Sequence, residues 1–80
     1  TIIYSTLLAA KERFATHSPA EVEAWVKEVF AQQPDFILEY FTITDTHTLQ
    51  PITKKEAGKD YRAFIVVHAE GVRLIDNLAF

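Results

Sequence analysis

Ala69-Glu70-Gly71-Val72-Arg73-Leu74-Ile75-Asp76-Asn77-Leu78 is the stretch around which the rest of the chain is arranged. Glu70 and Gly71 offer a tight turn, because glycine takes positive φ without the steric cost that a Cβ imposes. That turn is either two residues long or a type I turn closed by a bulge, and in both cases the chain returns antiparallel to what precedes it. Val72 to Asp76 then reads as a short strand that stops in Asp76-Asn77, residues whose side chains bond readily to nearby backbone. On the other side of the turn, Tyr61 to Ala69 centres on Phe64-Ile65-Val66-Val67, β-rich and apolar on both faces, which predicts a central strand.

Working outward, Phe36 to Thr44 is again rich in β-branched and aromatic residues and too short between its breakers for another good helix. Regular alternation puts Ile37, Phe41 and Ile43 on one face and Phe36, Leu38 and Tyr40 on the other. Neither face reads as clean solvent surface, so something is expected to cover the second. Asp45 and the threonines after it favour an Asx- or Ser/Thr-type turn, with Leu49 and Ile52 tucked beneath. Thr53 to Asp60 is polar and contains Gly58; it predicts an exposed connection with room for one helical turn.

Two amphipathic helices precede the strands. From Ile3 to about Thr16, Ile3, Leu7, Leu8, Ala10, Phe14 and Ala15 recur at helical spacing, with Lys11, Glu12 and Arg13 on the other side. His17-Ser18-Pro19-Ala20-Glu21 is a helix start: Ser18 caps, Pro19 occupies a position where its missing N–H costs nothing, and Glu21 completes a capping box. Val22, Trp25, Val26, Val29 and Phe30 form the next apolar stripe, and Pro34 stops it. A Glu23–Lys27 pair contributes only about 0.2–0.5 kcal/mol, whereas losing a buried Trp25 costs roughly 3–5 kcal/mol. Packing therefore decides this helix. The pattern as a whole predicts an α+β fold, two N-terminal helices packed on a three-stranded antiparallel β-sheet, as a single small domain over residues 1–80.

Composition narrows the function. Hydrophobic residues make up 49% of the 80, too many for a disordered tail. With no cysteine there is no disulfide framework and a reducing compartment is permitted, so the cytoplasm is the expected location. The longest apolar run, Ala63 to Val67, is far short of the roughly 20 residues a membrane helix needs. A net charge of −3 with scattered Lys and Arg gives no footprint for nucleic acid or an anionic membrane. A start at Thr1, directly in helical pattern, suggests a fragment of a longer chain.

Chemistry-bearing motifs are sparse. His17, His47 and His68 lie at no zinc-site spacing, so no metal site is expected. Gly58 and Gly71 alone cannot build a phosphate loop or a nucleophile elbow, and Ser18 is better explained as a cap than as a nucleophile. Arg73, Asp76 and Asn77 remain as candidate structural or interdomain residues. On an extended strand Arg73, Ile75 and Asn77 share one side and Leu74 and Asp76 the other. Arg73 either reaches an anionic group across an interface or bonds an acidic neighbour such as Glu39 or Asp45, while Asp76 and Asn77 cap loose strand-end groups; the second arrangement is the expected one.

Arg73-Leu74-Ile75-Asp76-Asn77 after Gly71 resembles the closing signature of the pantoate–β-alanine ligase family. Upstream, Ile3-Tyr4 followed by Leu7 is similar to the helix that opens that family's small C-terminal domain. Phe36 to Thr44 is similar to its Asp-Tyr-Val-Glu-Ile strand, and Asp45 to Ile52 to its Asp-x-x-Thr-Leu-x-Pro-Val stretch. Val72 stands where many members have Thr, and His68-Ala69-Glu70 replaces a small apolar run, departures on the hairpin turn that bear on interdomain contact. The resemblance implies an enzyme that uses ATP and Mg²⁺ to activate pantoate as pantoyl adenylate, which the amine of β-alanine attacks with release of AMP. It assigns those steps to a larger N-terminal nucleotide-binding domain, whose His-containing motif and Ser-Arg-Asn loop have no counterpart here. No catalytic, cofactor-binding or metal-binding residue therefore carries over to this chain. It implies a lid over the adenylate site, inactive in isolation, with that larger domain as its partner. The alternative is a free-standing module that presents its second sheet face to a small ligand or a protein.

Overall fold

Thr1 caps the first helix, its Oγ1 accepting from the Tyr4 amide at 3.2 Å. In the computed structural model, which describes residues 1–80, that helix, α1, runs from Ile2 to Phe14. Its buried stripe is Ile3, Thr6, Leu7, Ala10 and Phe14; Leu8 and Ala15, expected on the same face, are exposed. Thr6 is tolerated inside because its hydroxyl donates to the Ile2 carbonyl at 2.6 Å.

Helix α2 (Pro19–Ala31) begins with the predicted box: Ser18 Oγ accepts from the Glu21 amide at 3.2 Å and a Glu21 carboxylate oxygen accepts from the Ser18 amide at 2.9 Å. Val22, Val26 and Phe30 are buried. Trp25 is only half-buried, against expectation. It lies at the margin of the stripe, where the Arg13 guanidinium sits 4.3 Å from its ring centroid.

The strands β1 (Ile37–Asp45), β2 (Tyr61–Ala69) and β3 (Val72–Ala79) form an antiparallel meander in the order β1-β2-β3. Ala69 pairs with Val72, so the turn is the two-residue form, with Glu70 at φ 52° and Gly71 at φ 79°. Positive φ at both central residues matches the right-handed twist of the flanking strands. β3 runs on past the predicted stop at Asp76: Asp76 pairs with Ile65, Asn77 with Phe64 and Ala79 with Arg62. Asp76 and Asn77 are therefore mid-strand residues, not caps. Pairing along β2 extends the strand against their local turn preference.

A second departure lies in β1. The register shifts between Leu38 and Tyr40, where Leu38 pairs with Val67 and Tyr40 with Val66. Glu39 is thus the extra residue of a β-bulge, and a bulge reverses the alternation beyond it. Leu38 joins Phe41 and Ile43 on the inner face, while Ile37 and Tyr40 share the outer one, the reverse of strict alternation. Burial agrees: Leu38 packs on the core and Ile37 is 70% exposed.

After β1, Asp45 Oδ1 accepts from the amides of His47 and Thr48 at 2.8 and 3.2 Å, the predicted Asx-type turn. These bonds, with Lys59 nearby, hold the Asp45 carboxyl below its ordinary range. Ile52 packs on the core as expected. Leu49 does not: it takes φ 58° to reverse the chain and is left 57% exposed. The connection from Thr53 to Asp60 is exposed, and it contains a turn at Ala57-Gly58 rather than a helical one. Lys55 reaches back from it to donate to the Phe14 carbonyl, with its ammonium 4.7 Å from the Phe14 ring centroid.

Both helices lie on the inner face of the sheet. Leu7, Val22, Val26 and Phe30 meet Phe41, Ile43, Ala63, Ile65 and Val67 in one core cluster. Phe14 closes one end, edge-on to Tyr61 at 5.5 Å and tilted against Phe80 at 5.4 Å.

Candidate functional site

The opposite face of the sheet has no helix over it, and the strand pairing gathers its charged residues at one corner. Because Ala69 pairs with Val72, the next pair is His68 with Arg73, and His68 also pairs with Ile37 on β1. The bulge turns Glu39 outward over both. Its carboxylate receives Arg73 bidentately, Nε at 3.1 Å from Oε1 and Nη2 at 2.9 Å from Oε2, and His68 Nε2 lies 2.5 Å from Oε1. Arg73, then His68, hold the Glu39 carboxyl down to about 2, against a smaller opposing effect of desolvation. Glu39 in turn raises Arg73 above its ordinary value.

The candidates Arg73, Asp76 and Asn77 thus part company. Arg73 is in the cluster. Asp76 sits on the inner side of β3, where its Oδ1 accepts from the Asn77 amide at 2.8 Å. Asn77 faces outward, and its side-chain oxygen accepts from Arg62 Nη1. His68 was weighed in the sequence as a metal ligand, not as a partner of Arg73 or Glu39. The signal for it was the two-residue turn, which once chosen puts position 68 opposite position 73.

Beside the cluster, the end of α2 and the first half of β1 enclose an open groove of about 700 Å³. Phe30, Phe36, Leu38 and Phe41 line it, with Lys27 and Glu39 as its charged residues. A carboxylate held near 2 is a weak base at neutral pH, and Arg73 already spends two donors on it. The cluster is built to brace three points of the sheet, one on each strand.

No three His, Cys, Asp or Glu side chains gather in one place. In the first turns of α1 and α2 the Tyr4 and Glu21 amides are engaged by Thr1 and Ser18, and the groove is mainly aromatic and aliphatic. No step of adenylate chemistry is therefore derived through these residues.

The family model described as pantoate-beta-alanine ligase matches residues 1–79. The chain belongs to the pantoate–β-alanine ligase family. It is 46% identical over 77 residues to a pantothenate synthetase of Christiangramia forsetii, covering 96% of this chain and 27% of that protein. It is also 47% identical over 78 residues to one from Flavobacterium psychrophilum, covering 98% and 28%. The crystal structure of the pantothenate synthetase from Thermus thermophilus superposes with a TM-score of 0.75 at 33% identity, over 94% of this chain and 27% of that one. The chain thus spans little more than a quarter of the length of the relatives it matches, in keeping with the small C-terminal ligase domain that the sequence resemblance implies.

Proposed function

We propose that this domain is the lid of an ATP-dependent ligase that joins pantoate to β-alanine through pantoyl adenylate, in the cytoplasm. The family match over residues 1–79 carries the reading. In it, a larger nucleotide-binding domain holds ATP and Mg²⁺ and performs adenylation and amide formation. The small domain contributes no catalytic group; it keeps water from a reactive acyl adenylate while the amine enters. Its build suits that task. It has its own core on one side of the sheet, so it can move as a body, and its three strands are braced together by Glu39, His68 and Arg73.

The test separates the two half-reactions in the ligase that carries this domain. With residues 1–80 removed and the large domain still folded, pantoate-dependent pyrophosphate release persists, pantothenate formation falls further, and AMP appears without product. A folded truncated enzyme that still makes one pantothenate per AMP at the full rate overturns the lid. The domain alone is expected to show no ligase activity and no micromolar ATP site by calorimetry.

A further inference from the structure

A small antiparallel sheet with helices on one side normally alternates, apolar toward the helices and polar toward water. Here the outer face breaks that rule. Ile37, Tyr40 and Ile75 stand on it, with Tyr40 and Ile75 43% and 62% exposed; Tyr40 and Ile75 flank Val66 as its cross-strand partners, and Ile37 pairs with His68, the next β2 residue on that face. Val66 is fully buried although no layer lies above it. Phe64, on the same face, is half-buried. The charges at the edge of this patch are already matched, Arg73 and His68 on Glu39, so covering them strands no unpaired ion. The helical side differs: Lys11, Glu12, Glu21, Lys27 and Glu28 are exposed there, and the buried centre of an interface is depleted of such residues.

We infer that this outer face, centred on Ile37, Tyr40 and Ile75, is the surface by which the domain seats against the rest of the ligase. The inference rests on the lid reading and adds the side that closes. What says which body covers the face is length: the chain is 27% of the first relative, so most of the ligase lies outside it and must meet this domain on some side. Of the two broad sides, one is spent on the helices. The other offers an apolar centre with a neutralised polar edge, the composition of an interface core and rim. The bulge at Glu39 takes part in the arrangement, since it turns both Ile37 and Tyr40 outward.

The experiment uses the full ligase, and this domain contributes no native cysteine to it. Single cysteines are introduced by Ile75→Cys and, as the comparison, by Leu8→Cys on the solvent side of α1, where Leu8 is 41% exposed. Labelling by a water-soluble maleimide is followed with and without ATP plus pantoate. The inference expects Ile75→Cys to label at least tenfold more slowly once both substrates are present, and Leu8→Cys to be unchanged. Equal rates at the two sites under both conditions overturn it, as does protection of Leu8→Cys alone. Protection of Ile75→Cys that rises with protein concentration and ignores substrate assigns the face to a second copy and also overturns it. A second variant, Ile75→Lys, is expected to raise the ratio of AMP to pantothenate while the melting temperature holds; an unchanged ratio counts against the docking face. None of these results touches the lid reading, which stands or falls on removal of the whole domain.

Discussion

Ile65 and Val66 are neighbours on β2 and both fully buried, but by different means. Ile65 faces the helices and belongs to the core cluster with Leu7, Val26 and Phe41. Val66 faces outward and lies outside that cluster, hidden by cross-strand side chains such as Tyr40 and Ile75. One is covered by a second layer of backbone, the other by a single layer of side chains. The inner face therefore couples the helices to the sheet, and the outer face couples the strands only to one another, Glu39 on β1 reaching Arg73 on β3 across β2.

That contrast predicts a graded series. Ile65→Ala is expected to cost about 2–5 kcal/mol, because rigid helices leave a cavity that cannot collapse; denaturant titration checks it. Val66→Ala is expected to cost less, about 1.6 kcal/mol from two methylene equivalents at about 0.8 each, since its roof can settle into the gap. Equal losses at the two positions would break the comparison and mean the outer side chains are as fixed as the helices.

A smaller effect probes whether α2 acts as a layer of its own. Ser18→Ala removes the reciprocal cap and is expected to cost about 1 kcal/mol, read as a lower midpoint in the same titration. No loss would mean that packing alone holds the helix start.

The subtlest prediction concerns the outer face. Glu39 titrates at about 2 when folded, below its ordinary 4.5, so its stabilising effect is present above about 4.5 and is lost as pH falls through about 2. Exposure and salt keep it small. NMR titration of the Glu39 side chain is expected to show the low midpoint, returning toward 4.5 in Arg73→Ala. A midpoint indifferent to Arg73 would remove the brace.

Much of this was legible from local signals. Ser18-Pro19-Ala20-Glu21 marks a helix start through hydrogen bonds made within four residues, and Gly71 marks a reversal, so the two helices and the hairpin could be read without tertiary knowledge. The bulge could not: one extra residue in a β-rich run leaves no compositional trace, and strict alternation then assigned Ile37 and Leu38 to the wrong faces. Asp76 and Asn77 misled for a related reason, their turn preference being overridden by pairing along β2 that only the assembled sheet reveals. Trp25 looked like core because its spacing fits the stripe; it lies at the stripe's margin, half-buried under Arg13, while Val22 and Val26 are fully buried. At the candidate site, Glu39 could be named among the partners of Arg73 from charge alone, whereas His68 required the register.

The two-residue turn also orders events in time. Hairpins with so short a loop close in about 1–10 μs, and β2 and β3 need nothing further from the chain to find each other. β1 has to search across the connection from Thr46 to Asp60, and as the N-terminal elements leave the ribosome first, α1, α2 and β1 are made before the strand that joins them exists. Until β2 has been synthesised, the apolar stripes of α1, α2 and β1 lack Ala63, Ile65 and Val67, the central-strand residues that complete their core.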